Sequence, residues 1–305
     1  MTTSDNYEPP SAEVMSQRQD EPDALRLLVA QRKLYSIAKR FLTSRLIGMF
    51  LIAIVAPVAG FLWSDVAVAC GAVAGAWIFF GRTFLNAQQE TRVDRAAAIQ
   101  ERFDNHVFGM TVGGNREHEP SLEDIVKLSG DLTEVRREAQ LEKLRKWYPF
   151  QAGADPATSV AIAQRANVSY SDSLLRTTAR VWRYLIIGWG LIAIGISIVI
   201  GLSLETFLLV VLLPLLPAFL DLVEFTRGYE SASHTRRNTA KAIEDTIASG
   251  SVEPERLLVW QERIYDLRRT TPLVPDVIYW LARKSNEKAM EATADSLANS
   301  SGTED

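Results

Sequence analysis

An all-α, multi-pass membrane protein is the fold class this sequence predicts, with four transmembrane helices in two hairpins and a cytosolic helical body. Three observations carry that expectation. Two blocks, 46–81 and 184–226, contain no Lys or Arg, although the 305-residue chain holds 33. Basic residues crowd the flanks of both blocks and are missing from the turns inside them. No stretch alternates with period two for long enough to make a strand, whereas helical periodicity recurs between the blocks. Hydrophobic content of 47% and charge of 23% would suit a soluble domain. Their uneven distribution excludes one.

The elements follow in order. Residues 1–22 are polar, acidic and Pro-containing, which predicts a disordered tail and excludes a cleaved secretory signal. Over 23–45, Leu27, Leu34, Ile37 and Phe41 recur at helical spacing with cations opposite. That pattern predicts an amphipathic juxtamembrane helix, lying on the inner leaflet or against the cytosolic body. Hairpin 46–81 divides at Trp63-Ser64-Asp65. Each half falls slightly short of the roughly 20 residues that cross a hydrocarbon core, and Arg45, Trp63, Trp77 and Arg82 complete the boundaries. Gly71 and Gly75 form a small-xxx-small pair, so the second span should approach a neighbour closely; Gly188, Gly195 and Gly201 offer the same on the third.

The 82–183 region reads as cytosolic and helical. Val93, Ala96, Ile99, Gln100 and Phe103 continue the second span out of the membrane. A break follows between Gly109 and Pro120, then Ser121 and Asp124 have the form of a capping box. A helical pattern runs on to Trp147, a short helix follows at 157–166, and Ser171 or Asp172 caps a helix entering the third span. Hairpin 184–226 divides near Ser203-Leu204-Glu205, with Pro214 and Pro217 kinking its second half. Residues 227–291 predict cytosolic helices near 227–248, 255–268 and 278–290, and 292–305 a disordered tail.

Orientation follows from the cations. Arg26, Arg32, Lys33, Lys39, Arg40 and Arg45 precede the first span, and Arg227, Arg236, Arg237 and Lys241 follow the fourth. The positive-inside bias then places both termini and the whole 82–183 region in the cytoplasm. Too little chain is left outside for an external receptor or an exported enzyme.

Chemistry is sparse. Cys70 is the one cysteine and reads as a buried thiol, excluding disulfides and CxxC metal clusters. His106, His118 and His234 have no further ligands at metal-site spacing, no nucleophile frame appears, and no cofactor is called for. The net charge of −4 equals the four acids inside the apolar blocks, Asp65, Glu205, Asp221 and Glu224, so DNA or RNA polymers are not expected partners. Asp221 and Glu224, with Pro214 and Pro217, are candidates for pore lining or gating. Aromatics, amides and arginines gather in the cytosolic parts: Trp147, Tyr148, Gln164, Arg165, Asn167 and Arg176, then Tyr265, Arg268 and Arg269. Arginine forks and flat rings suit phosphates and bases; core aromatics with salt-bridged arginines explain the same pattern.

RKLYSIAKRF (32–41), AAAIQERFDNHVFGM (96–110), KWYPF (146–150), AIAQRANVSYSDSLLR (161–176) and QERIYDLRRTTPLVPDVIYWLARKSNEKAM (261–290), with the two apolar hairpins between them, resemble the SMODS-associating four-transmembrane effector family. The order of blocks matches from about residue 24 to 295. Family members often carry Cys where this chain has Ala163, and a Trp-Asp pair near Tyr170-Ser171-Asp172. The resemblance implies a non-enzymatic effector of cyclic-oligonucleotide-based anti-phage signalling. Its implied partners are the lipid bilayer, a cyclic oligonucleotide and further copies of itself, and its implied action is pore formation leading to abortive infection. A non-conducting scaffold that recruits a cytosolic partner is the alternative, and a lipid-active enzyme a third reading.

Overall fold

A computed structural model describes residues 7–63, 67–111, 116 and 118–279. The described residues form helices joined by short connections, with no strand among them. The N-terminal region departs from the expected disordered tail. Helix α1 (Ala12–Arg18) is capped by Ser11 and buries Ala12 and Met15. Upstream of it the Tyr7 hydroxyl donates to the Phe108 carbonyl at 2.8 Å. A cap and two apolar contacts suffice to dock a segment whose composition alone reads as unstructured.

The expected juxtamembrane helix and first span are one rod, α2 (Pro22–Leu62), which continues through Pro57. Its early face enters the larger helical core through Leu25, Leu28, Ala30 and Leu34, so it stands against the body. Ile37 and Phe41 are only half-buried, because the buried stripe runs through Ala38 and Leu42. Helix α3 (Ala67–Phe80) passes through a π-helical turn (Gly81–Leu85) into α4 (Asn86–Phe108), which ends at Gly109 with φ 68°. Gly71 and Gly75 do not make the expected close approach: a Cβ at either would meet nothing within 4 Å. The hairpin closes instead at Gly48, where a Cβ would fall inside the Trp77 indole. Cys70, expected buried, is half-exposed.

Helices α5 (Leu122–Ser129) and α6 (Leu132–Leu141) are short and capped. Ser121 accepts from the Asp124 amide, while the reciprocal capping box belongs to Asp131 and Glu134. The pattern expected to reach Trp147 stops at Leu141; Lys143 and Lys146 take positive φ, and the chain stays irregular up to Asp155. From Asp155, whose side chain caps it, α7 (Pro156–Ile200) runs unbroken for 45 residues. The expected start at Ser171 or Asp172 is therefore corrected. Ser171 bonds back to the Asn167 carbonyl at 3.2 Å, satisfying its hydroxyl inside a helix.

Gly201, at φ 71°, ends α7. After it come α8 (Leu204–Thr206), a π-helical stretch (Phe207–Leu212) and α9 (Leu213–Ala248). The axis bends by 60° between Leu204–Leu212 and Leu215–Ala248. Pro214 opens α9 and Pro217 lies inside it; prolines there remove backbone donors and favour such a bend. Helix α10 (Pro254–Thr270) returns to the body, and residues 276–279 begin another helical turn. The rest of the expected helix to 290 and the 292–305 tail lie outside the described residues.

By length and composition, Pro156–Ile200 is able to cross a membrane, and the bent pair Leu204–Leu212 with Leu215–Ala248 is a second if it forms one span. The halves of the 46–81 hairpin do not stand apart as long apolar helices: one is the end of α2, and α3 has 14 residues. Two cores organise the rest. The larger joins α1, α2, α4, α7 and α10 through Met15, Leu28, Ile99, Phe103, Val160 and Leu257. The smaller, at the foot of the apolar helices, joins Leu42, Leu46, Leu175, Trp182, Leu222 and Tyr229.

Candidate functional site

The larger core contains a polar layer. Glu101 and Asp104 lie on the α4 face that also carries Ala97 and Phe108, opposite Ile99 and Phe103; α4 is buried on both sides, so folding it against its neighbours drives both carboxylates inside, to 2% and 1% exposure. Helix α10 answers them. Arg268 donates to Asp104 at 2.6 Å and lies 3.5 Å from Glu101. Gln261 donates to both acids at 2.9 Å. The Tyr148 hydroxyl donates to Asp104 at 2.7 Å and accepts from Asn167 at 3.3 Å. Gln164 donates to Gln261 and to the Leu257 carbonyl. Four segments distant in sequence are thereby pinned by one network.

Its electrostatics follow from burial. Removal from water pushes the Glu101 carboxyl up to about 7 despite the Arg268 charge beside it. Burial opposes the Arg268 charge, yet Asp104, Tyr148 and Glu101 outweigh it and hold the guanidinium above its usual range. Close by, Arg236 is 3% exposed and donates to the Leu267 carbonyl and the Thr271 hydroxyl. Burial and the neighbouring Arg268 lower it to about 10.

The nine residues expected to bind a ligand do not form one site. Tyr148, Gln164, Asn167 and Arg268 belong to the buried layer. Trp147 is half-buried against the larger core. Arg165 pairs with Glu244 at 2.6 Å. Tyr265 is buried beneath two cations, with the Arg116 guanidinium 4.0 Å from its ring centre and that of Arg269 at 5.6 Å; Arg269 also bonds Asp94 at 3.1 Å. Of the nine, Arg176 lines a groove of about 250 Å³ between α7 and α9. Arg180, Arg183, His234 and Arg237 line it as well, with Glu230.

Asp221 and Glu224 occupy the boundary between apolar helices and body. Asp221 is 4% exposed and bonds Arg82 Nε at 3.0 Å, with Arg45 at 3.6 Å. Arg82 also reaches Glu224 at 2.7 Å. Helices α2 and α9 and the π-helical turn at 81–85 are thus clamped by two cations and two acids. Sequence reasoning singled out the acids but treated Arg45 and Arg82 only as boundary cations. It missed Glu101 and Gln261, and weighed Asp104 only beside His106 as a metal ligand. The legible signal was the run Ala96-Ala97-Ala98-Ile99, apolar on every side, which implies a helix buried all round and so puts two acids in line with Ala97 and Phe108 inside. Among the described residues no group of three or more His, Cys, Asp or Glu side chains is placed to hold a metal ion.

Comparison with known proteins adds two findings. The family model described as the SMODS-associating 4TM effector domain matches residues 14–297. A Bacillus cereus (strain VD146) protein named "Probable CBASS effector molecule" is 21% identical over 298 residues, covering 90% of this chain and 95% of its own. No solved structure matches.

Proposed function

Because this chain belongs to the SMODS-associating 4TM effector family, we propose that it is an inner-membrane effector of cyclic-oligonucleotide-based anti-phage signalling (CBASS). On receiving the signal it breaks membrane integrity by forming a pore. In this reading the apolar stretches at 46–62, 67–81, 184–200 and 204–226 cross the bilayer, with both termini in the cytoplasm.

One observation carries the membrane role: apolar surface is segregated. Ile47, Leu51, Ile54, Val58, Phe79, Leu191, Ile198 and Leu209 are exposed, Val199 by 87%, while the body below them closes its own apolar core. Exposed apolar area on that scale is stable in lipid and not in water. The same helices run without break from the body into this zone, so a rearrangement of the polar layer would reach the clamp at Asp221 directly. A ligand drives such a change only by binding the open state more tightly. One four-helix unit encloses little space, so conduction takes several copies; the open faces at Gly71, Gly75, Gly188 and Gly195 suit close approach between them.

Membrane potential in cells tests the reading. Co-expression with a cyclic-oligonucleotide synthase should depolarise cells within minutes, and either protein alone should not. Preserved potential with both present would favour a non-conducting scaffold.

A further inference from the structure

The groove between α7 and α9 belongs neither to the polar layer nor to the clamp. It is lined by Arg176, Arg180 and Arg183 from one helix and Glu230, His234 and Arg237 from the other. Acids compensate only part of this charge. Arg176 pairs with Asp172 at 3.1 Å, with Arg237 at 3.8 Å from the same carboxylate, and Arg183 pairs with Glu230. Arg180 is exposed and has no carboxylate partner among the described residues; its Nη2 reaches only the Thr177 hydroxyl, at 3.5 Å. Four guanidiniums therefore face two carboxylates, leaving an excess of two positive charges around a cavity of about 250 Å³.

Position narrows the ligand. The exposed apolar run of α7 begins at Tyr184, one residue beyond Arg183. At about 1.5 Å per helical residue, Arg180 lies roughly 6 Å and Arg176 roughly 12 Å below it along the axis. A headgroup layer is about 5–8 Å deep on each side of the hydrocarbon core, so Arg180 and Arg183 fall within it, while the Arg176 backbone lies about 4 Å beyond it, within reach of its long side chain. Guanidinium forks match phosphate oxygens in pairs. A headgroup seated here leaves its acyl chains beside Ile187 and Leu191, both exposed on the same face of the helix.

We propose that this groove is a binding site for a phosphate-bearing anion, the headgroup of an anionic phospholipid of the cytosolic leaflet. The proposal rests on α7 crossing the membrane. Arg180 is its central contact, with Arg176 and Arg237 exchanging part of their bond to Asp172 for the phosphate.

The test uses full-length protein in neutral detergent, titrated with short-chain phosphatidylglycerol, short-chain phosphatidylcholine, or inorganic phosphate, with binding read by native mass spectrometry and thermal shift. Saturable binding of phosphatidylglycerol at least tenfold tighter than phosphatidylcholine, and weakened at least fivefold in Arg180→Gln/Arg237→Gln, is the expected result. Equal binding of the two lipids, or undiminished binding by the variant, overturns the proposal. Inorganic phosphate matching phosphatidylglycerol would assign the groove to soluble phosphates and overturn the lipid assignment. Alkaline extraction of wild-type membranes checks the span independently: release of the protein would defeat the membrane reading itself, whereas retention without lipid selectivity would defeat only the groove.

Discussion

Replacing Arg268 by Met removes the cation at the centre of the polar layer while keeping most of the side-chain length. In the wild-type fold the Arg268 side chain is 4% exposed and Asp104 1%, with 2.6 Å between them. Breaking one side of a buried ion pair costs about 3–5 kcal/mol, because the remaining charge is left uncompensated. Tyr148 and Gln261 still donate to Asp104 at 2.7 and 2.9 Å, which puts R268M near the lower end, about 3 kcal/mol. For a body of this size that lowers Tm by roughly 6–12 °C. Thermal unfolding in detergent, followed by circular dichroism, measures it. Adding Asp104→Asn should recover part of the loss, since the stranded carboxylate is then neutral. If R268M unfolds within a degree of wild type yet no longer responds to nucleotide, Arg268 is a ligand contact and the structural account of the layer is wrong.

Three further outcomes follow. The Glu101 carboxyl titrates near 7 in the fold against an ordinary 4.5; with the folded value raised, its contribution is full below about 4.5 and lost as pH rises through 7. Wild-type Tm should therefore fall between pH 5 and 8 more steeply than that of Glu101→Gln, and identical profiles would refute the burial argument. Asp221→Asn should loosen Arg82 and Arg45 and raise nucleotide-independent dye leakage several-fold; unchanged leakage would remove the clamp from the gating account. Gly48→Leu should destabilise by about 1–3 kcal/mol through overpacking against Trp77, whereas Gly71→Leu should leave the unfolding of the detergent-solubilised monomer within about 0.5 kcal/mol of wild type.

The helical class and the placing of cations around apolar blocks were legible because both are properties of sequence pattern, fixed before any tertiary contact forms. Helix continuity was not. Ser171 and Asp172 carry good capping chemistry, but Ser171 bonds back to Asn167 and Asp172 pairs with Arg176 and accepts from Ser233, so α7 continues through them. Local signals propose an end that packing against α9 overrides. The candidate ligand residues show a similar limit. Arg268, Arg269 and Arg176 are alike in sequence, yet they lie respectively buried against acids from α4, over a tyrosine ring, and on an open groove. The acid that decides the fate of Arg268 stands 164 residues away, beyond the reach of any periodicity.

Leakage of a self-quenching dye from liposomes containing the purified full-length chain tests the central claim most directly. The protein should be silent alone and release dye with one member of a panel of cyclic di- and trinucleotides, at a rate rising more steeply than linearly with protein density as copies assemble. Dye retention with every nucleotide, in liposomes where the protein is verifiably inserted, would contradict a directly gated membrane-disrupting effector.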